Sequence, residues 1–418
     1  MQESADFISG AAWALPFAGL LASFALGPLV WPHRWHRWEG RVAAGWALAL
    51  ALPLAVARGP EAAWTAIWQE VLGTYLPFAS LLLALYAAGG GVLIRGVCRA
   101  TPAGNTAFLA LGTLVSGLIG TVAASMLLIH PMLAANAHRR RRFHLVLGFI
   151  ILVANAGGAL TPLGPPLYLG FLAGDGFFWP LLHLGPAVAL LAGIVLGGVY
   201  ATERYLARGE APPPPRAPLR LRGAGNLALI GAVVGAVFAE GAFPGNRLAL
   251  AGATIPAAQL AGAGFCLIVA AVSAEVTPRA IRAGNDFAWA PMVETAGFFL
   301  ALFVTLVPVA PMLAGAGGRL GPQGLFWLTG ALSAMLDNAP SYLMARGLAD
   351  GTPGALAALS AGAVFFGGLT YLGNAPNLML RAVAAHRGVR MPGFLAYAAI
   401  ACAVLGPVLA LLALVWVG

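Results

Sequence analysis

Two short polar interruptions, each in the middle of an apolar run long enough to cross a bilayer, constrain this chain more than any other feature. One reads NAGGALTPLGPPLYL, from Asn155 to Leu169, and the other GGLTYLGNAPNLML, from Gly367 to Leu380. Glycine and proline at these points end a helix, which places free backbone amides and carbonyls at membrane depth. Such backbone is stable only where it lines a cavity or is covered by protein. The two interruptions share a frame: Gly157-Gly158 or Gly367-Gly368, then Thr161 or Thr370, then Leu163-Gly164 or Leu372-Gly373, then proline. A matched pair of broken helices points to a repeat-built carrier with its binding site between the breaks.

The rest of the chain is hydrocarbon-like. Of its 418 residues 60% are hydrophobic and 9% charged, with a mean hydropathy of +0.86, a balance that excludes a soluble domain. All 23 basic residues are arginine, and the formal charge is +9. On a soluble protein that charge would raise the question of nucleic acid. On a lipid-embedded chain it marks loops that face anionic lipid, and no nucleic-acid partner is expected. Cys98, Cys266 and Cys402 lie far apart in or beside apolar runs, so neither a disulfide framework nor a metal centre is indicated. Glu3 and Asp6 precede the first apolar run with no basic residue, which is wrong for a cleaved signal peptide.

Spans of about 20 apolar residues fall near Phe7 to Trp31, Val42 to Ala57 and Val71 to Ile94. A longer region, Phe108 to Leu133, is broken at Gly120-Thr121. Were it one crossing, Arg95 and Arg99 would lie opposite Arg139 to Arg142, so a re-entrant hairpin with its tip at Gly120 to Ser125 is expected. The broken helix around Asn155 and a span near Trp179 to Tyr200 follow. ARGEAPPPPRAPLRLR, Ala207 to Arg222, reads as an extended polyproline linker. The same order then returns: spans near Ala224 to Ala239, Ile255 to Glu275 and Trp289 to Leu313, a hairpin from Gly324 to Leu348 with its tip at LDNAPS, the broken helix around Asn374, and a span near Phe394 to Trp416.

The expected fold is therefore an all-α polytopic membrane protein of two inverted repeats, 1–206 and 223–418, joined by a cytoplasmic linker, 207–222. Each repeat has five crossings, one of them a broken helix, and a re-entrant hairpin. An odd number of crossings inverts the second repeat. Arginine counting agrees, since this topology puts 19 arginines on one side and Arg58, Arg247, Arg319 and Arg346 on the other. The rich side is cytoplasmic under the positive-inside rule, which leaves both termini outside.

Among the 14 acidic residues, Asp337 alone stands at a hairpin tip, near the expected midplane. An ionisable group there is a functional candidate by default. A carboxylate capping the second hairpin helix is the bland alternative, and the two roles are compatible, because a cap keeps an oxygen free for Na⁺ or a proton. Asn155, Asn374, Thr161 and Thr370 offer neutral oxygens and donors, either to a ligand or as helix-break caps. Half-helix N-termini facing one cavity could instead hold an anion. Glu294, one turn into its span, and His130, below the first tip, are candidate proton relays beside Asp337. Tryptophans such as Trp31, Trp35, Trp38, Trp64, Trp68 and Trp179 cluster at span ends as interfacial anchors.

The segments GTVAASMLLIHPML, NAGGALTPLGPP, LDNAPSYL and TYLGNAPNLML resemble the signature segments of bacterial sodium:proton antiporters of the ion transporter superfamily, a branch also labelled as citrate transporters. More distantly they resemble arsenite permeases and sodium-coupled dicarboxylate transporters. The resemblance implies inverted repeats, one site built from hairpin tips and broken helices, and a homodimer in the bacterial inner membrane. By position it gives site roles to Thr121, Asn155, Thr161, Asp337, Asn338, Thr370, Asn374 and Asn377, with Asp337 as the Na⁺ ligand. Gly164 runs directly into Pro165-Pro166 where this branch usually has an Asp, so one cation ligand is missing, and the first tip lacks the Ser-Asn pair of dicarboxylate carriers. The expected function is secondary active exchange of Na⁺ for H⁺ without a resident cofactor. The alternative is sodium-coupled movement of a small, citrate-like carboxylate or oxyanion. An enzyme is not expected, as neither G-x-S-x-G nor H-E-x-x-H occurs.

Overall fold

The computed structural model describes residues 12–31, 34–97, 100–209, 217–243, 245–250, 252–315 and 320–417. The expectations for Glu3, Asp6, Cys98, Arg99, Arg319 and the linker prolines Pro212 to Pro215 lie outside the described residues. The first half contains α1 (Leu15–Val30), α2 (Trp35–Arg58), α3 (Pro60–Gly89), β1 (Leu93–Val97), α4 (Pro102–Ile119), α5 (Thr121–Ala135), α6 (Phe143–Leu152), α7 (Pro165–Leu172) and α8 (Trp179–Leu206). After β2 (Ala217–Arg222) come α9 (Gly225–Ala242), β3 (Arg247–Leu250), β4 (Ala253–Pro256), α10 (Ala257–Val276), α11 (Arg279–Gly284), α12 (Ala290–Leu306) and α13 (Val309–Gly315). The chain closes with α14 (Pro322–Leu336), α15 (Asn338–Leu348), α16 (Pro353–Phe365), α17 (Ala375–His386) and α18 (Phe394–Leu412).

Proline and glycine set these boundaries. Helices α3, α4, α7, α14 and α16 all begin on proline, whose missing N–H is no loss in a first turn. Thr101 and Thr352 cap α4 and α16 by accepting from Gly104 N at 3.1 Å and Ala355 N at 3.3 Å. Among the described residues, seven helices are long and apolar enough to cross a membrane. Their outer faces carry large apolar side chains such as Val56 and Leu395, each 88% exposed, which suits contact with lipid. The molecule is thus a mostly helical, polytopic membrane protein.

Four short strands depart from the all-helical expectation. β2, at the end of the expected linker, pairs antiparallel with β1, Leu93 opposite Arg222, and so ties the linker to the α3–α4 connection. β3 and β4 form a small hairpin between α9 and α10. Helix α3 also begins at Pro60, eleven residues before the expected span, and passes through a wider π turn at Val71–Tyr75.

Loop contacts sort the connections into the two groups that arginine counting separated. Arg142 donates to Arg387 O and Gly388 O at 3.2 and 2.9 Å, and Arg139 to Ala100 O at 3.0 Å, within the arginine-rich group. Asp175 pairs with Arg346 at 2.9 Å, and Thr254 N donates to Gln69 Oε1 at 3.0 Å, within the other.

Two apolar cores fill the interior. One gathers α6, α8, α16 and α18 around the broken segments, with Phe149, Phe365 and Leu405 at its centre. The other gathers α1, α3, α9, α12 and α15, with Phe78, Phe303 and Tyr342. Helices α5 and α16 contribute to both.

Candidate functional site

Each half contains a pair of helices that meet at one residue held in a backbone conformation L-residues rarely adopt. Between α4 and α5 it is Gly120, at φ 81° and ψ 154°. Between α14 and α15 it is Asp337, at φ 115° and ψ 153°. Glycine takes that conformation freely, whereas aspartate is strained there by about 1–3 kcal/mol. A carboxylate kept at such a cost points to a role for the carboxylate.

Its bonds show what the position provides. Asp337 Oδ1 accepts from Ala339 N, in the first turn of α15, at 3.2 Å, and Oδ2 accepts from Ala375 N, the first residue of α17, at 3.1 Å. One carboxylate therefore sits on the N-termini of two half-helices, whose dipoles favour negative charge. The two helices come from different sequence features, the second tip and the second break.

The helix pairs also hold the breaks, by the same bonds in both halves. Thr161 donates to Gly117 O and Thr370 to Ala334 O, each at 2.5 Å. Ser116 donates to Val153 O and Ser333 to Ala363 O, each at 2.6 Å. The two breaks are then joined to each other by three buried asparagines. Asn155 Nδ2 donates to Asn377 Oδ1 at 3.1 Å, and Asn374 Nδ2 to Ala154 O at 2.7 Å and Asn155 Oδ1 at 3.3 Å. Asn377 Nδ2 completes the set on Gly367 O and Thr370 O at 2.8 and 2.9 Å. These bonds satisfy the backbone that the breaks expose.

A cavity of about 940 Å³ opens beside Asp337. It runs along one face of α17, past Ala375, Leu378, Met379, Ala382, Val383 and His386, in the three-and-four spacing of a helix stripe. At 1.5 Å per residue that face is about 16 Å long. The other polar walls are Glu39, Asp286, Glu294, Thr295, Asn374 and Arg381. Four carboxylates and Arg381 line the cavity, and one of the carboxylates, Asp286, lies 3.6 Å from Arg387 Nη2.

A family model described as "Putative citrate transport" matches residues 7–417. The chain belongs to that family. No curated protein matches it. Membership makes this a transport protein, and the match covers both breaks, both helix pairs and the cavity.

Within this family member, the residues singled out by sequence fall into three groups. Asp337, Glu294 and Asn374 line the cavity. Asn155, Asn377, Thr161 and Thr370 use their side chains on the protein's own backbone and on one another, as above. Thr121 and Asn338 are buried at 3% and 2% exposure, and Thr121 Oγ1 and Asn338 Oδ1 have no hydrogen-bond partner. Such groups at two tips are ready acceptors.

His130 lies behind the wall. It is buried, with Nε2 3.1 Å from Asn285 O and Nδ1 3.9 Å from Asp286 Oδ2, in a small void that shares Asp286, Met379 and Val383 with the main cavity.

Sequence reasoning missed three of the charged walls. Arg381 was counted among loop arginines, but its guanidinium lies 5.0 Å from the Tyr371 ring and 4.9 Å from the Phe394 ring. The helical stripe of α17 was the available signal, because Arg381 falls beside Leu378 and Ala382 on it. Glu39, in the first turns of α2, and Asp286, in the connection between α11 and α12, come from far away in sequence, and nothing local marks them. Trp35, expected as an interfacial anchor, is instead buried edge-on against Phe24, with centroids 5.2 Å apart, at the mouth of the same cavity.

Proposed function

We propose that this protein is a secondary active transporter that exchanges Na⁺ for H⁺, with Asp337 as the group that binds either ion in turn. The observation that carries the reading is a single strained carboxylate on two half-helix N-termini, at one end of a cavity with four carboxylates and one arginine. A hard cation prefers carboxylate, amide and carbonyl oxygens, which the tip and the breaks supply.

The proposed architecture is a pair of inverted repeats with the α4–α5 and α14–α15 pairs as re-entrant hairpins. Helices α14 and α15, of 15 and 11 residues, would be about 22 and 16 Å long, short of the roughly 30 Å hydrocarbon layer. Both termini would lie outside, and the arginine-rich loops in the cytoplasm of a bacterial cell whose inner membrane holds a homodimer. His386, eleven residues along α17 from Ala375, would belong to that arginine-rich side, and a cavity opening there would be inward-facing. Alternating access would then close this cavity and open Asp337 to the other side.

A second reading keeps the cavity and changes the cargo. The family's description names citrate, and Arg381, with the half-helix N-termini, gives a carboxylate-bearing substrate a partner. Sodium-coupled movement of a small, citrate-like carboxylate follows from those features.

Flux in proteoliposomes separates the two. Under an imposed sodium gradient, the antiport reading expects proton movement without any carboxylate present. Proton movement that appears only with citrate moves the assignment to the second reading. Asp337→Asn, which keeps size and capping ability, is expected to abolish sodium-driven proton flux at every pH.

A further inference from the structure

One buried carboxylate lies outside the cavity lining and has no role in the reading above. Glu240 lies in the last turn of α9 and is 8% exposed. Its Oε2 accepts from Tyr168 Oη, on α7, at 3.3 Å. Its Oε1 is buried with no hydrogen-bond partner. Among the described residues no basic side chain lies within ion-pair distance, and the ionisable groups that face it are Tyr168 from α7 and Cys266 from α10. Gly262 of α10 passes so close that an added Cβ would stand 2.9 Å from Glu240 Oε2, which leaves no space for a hydrating shell on that side.

An ionised carboxylate in this place would have one neutral donor, no countercharge and an unsolvated oxygen. The negative end of the α9 dipole would add repulsion. Buried charge of that kind is tolerated only when it is paired or neutralised. A proton on Oε1 neutralises it and leaves the Tyr168 bond to Oε2 in place.

We propose that Glu240 is a second proton-binding site, which holds its proton in this state and releases it to the loop after α9 when α7 moves away from α9 and α10. The link is geometric. Tyr168 stands three residues beyond Pro165, so the group that donates to Glu240 belongs to the short helix that follows the first break. Two residues further on, an added Cβ at Gly170 would lie 2.4 Å from Tyr342 Oη and 2.5 Å from Asp175 Oδ2. Movement of the first break would therefore reach Glu240 through α7. The release step is Glu–COOH to Glu–COO⁻ and H⁺, with the proton passing to water at the end of α9. That the proton is coupled to transport rests on the antiport reading, whereas its presence on Glu240 does not.

Infrared spectroscopy of the purified full chain in detergent tests the site directly. Wild type should show the C=O stretch of a protonated carboxylic acid that Glu240→Gln lacks and Asp337→Asn keeps. The stretch should disappear as pH rises while the protein is still folded. Loss of carboxylate bands instead, or a stretch that persists until the protein unfolds, would overturn the proposal. Tyr168→Phe keeps the acid and removes its donor, so the stretch should move to higher frequency, and an unmoved band counts against the placement even if Glu240→Gln fails to fold. In proteoliposomes Glu240→Gln should keep Na⁺/Na⁺ exchange and carry fewer protons per Na⁺, and an unchanged ratio would overturn the coupling. Wild type without any sodium-driven proton flux would instead refute the antiport reading, and the infrared band would still decide Glu240.

Discussion

Gly120 and Asp337 occupy the same strained conformation at the two helix junctions, and this makes Asp337 a test of function against stability. Replacing Asp337 by glycine removes about 1–3 kcal/mol of backbone strain and loses two caps of about 1 kcal/mol each, on Ala339 N and Ala375 N. The melting temperature of Asp337→Gly should therefore stay near that of wild type, while sodium-driven proton flux disappears. A variant that melts well below wild type and keeps its flux would make Asp337 a structural cap. The converse change, Gly120→Ala, should destabilise, because its Cβ would lie 2.9 Å from Leu163 O at φ 81°. The place of Asp337 at a helix junction was legible in the sequence, because LDNAPS interrupts an apolar run with a carboxylate, an amide and a proline. That it bonds to Ala375 was not, since 38 residues separate the two and no pattern links them.

At the scale of elements, proline and glycine carried most of the readable signal. The breaks at Gly157-Gly158 and Gly367-Gly368 and the junctions at Gly120 and Asp337 all fall where punctuation placed them. The strand pair β1–β2 was hidden in what looks like a linker, because strand pairing depends on a partner far away in sequence. The buried cluster around Glu203 was hidden for the same reason. Arg139 reads as one of four loop arginines, yet it is 5% exposed and paired with Glu203, which also meets His144 Nε2 and Asn105 Nδ2, each at 2.6 Å. The asparagine bonds that join the two breaks make a separate prediction. Asn155→Ala leaves Asn377 Oδ1 without its donor and Asn374 without one acceptor, and an orphaned buried group costs about 1–3 kcal/mol. A thermal shift of that size should appear with and without sodium. Thr161→Val removes the bond to Gly117 O and one from Leu163 N, whereas Thr370→Val removes the bond to Ala334 O and two from Leu372 N and Gly373 N, so Thr370→Val should cost more than Thr161→Val. If instead Asn155→Ala left stability intact and changed only the sodium dependence, Asn155 would be a ligand before it is a latch.

For the whole molecule, the question is which loops share a face of the membrane. Arginine counting divides 19 from 4, and the loop contacts join Arg142 to Gly388 on one side and Asp175 to Arg346 on the other. The labelling positions should be chosen from the structure, because Arg139 and Arg346 are both bound to carboxylates and their replacement would disturb the fold. Arg140 and Gly354 are both exposed, and a Cβ at Gly354 meets nothing within 4 Å. Single cysteines at these positions, in a background without Cys98, Cys266 and Cys402, are expected to react with a membrane-impermeant thiol reagent from opposite faces. Between the two sites lie α6 with α7, α8, α9, α10, α12 with α13, and the α14–α15 pair. The broken helix, α8, α9, α10 and α12 supply five, and the α14–α15 pair, if re-entrant, supplies none. Labelling from opposite faces therefore requires this odd count, and labelling from the same face would mean that α14 and α15 do not return, or that one of the five fails to cross. Either result would dissolve the inverted repeat and, with it, the argument that Asp337 is reached from each side in turn.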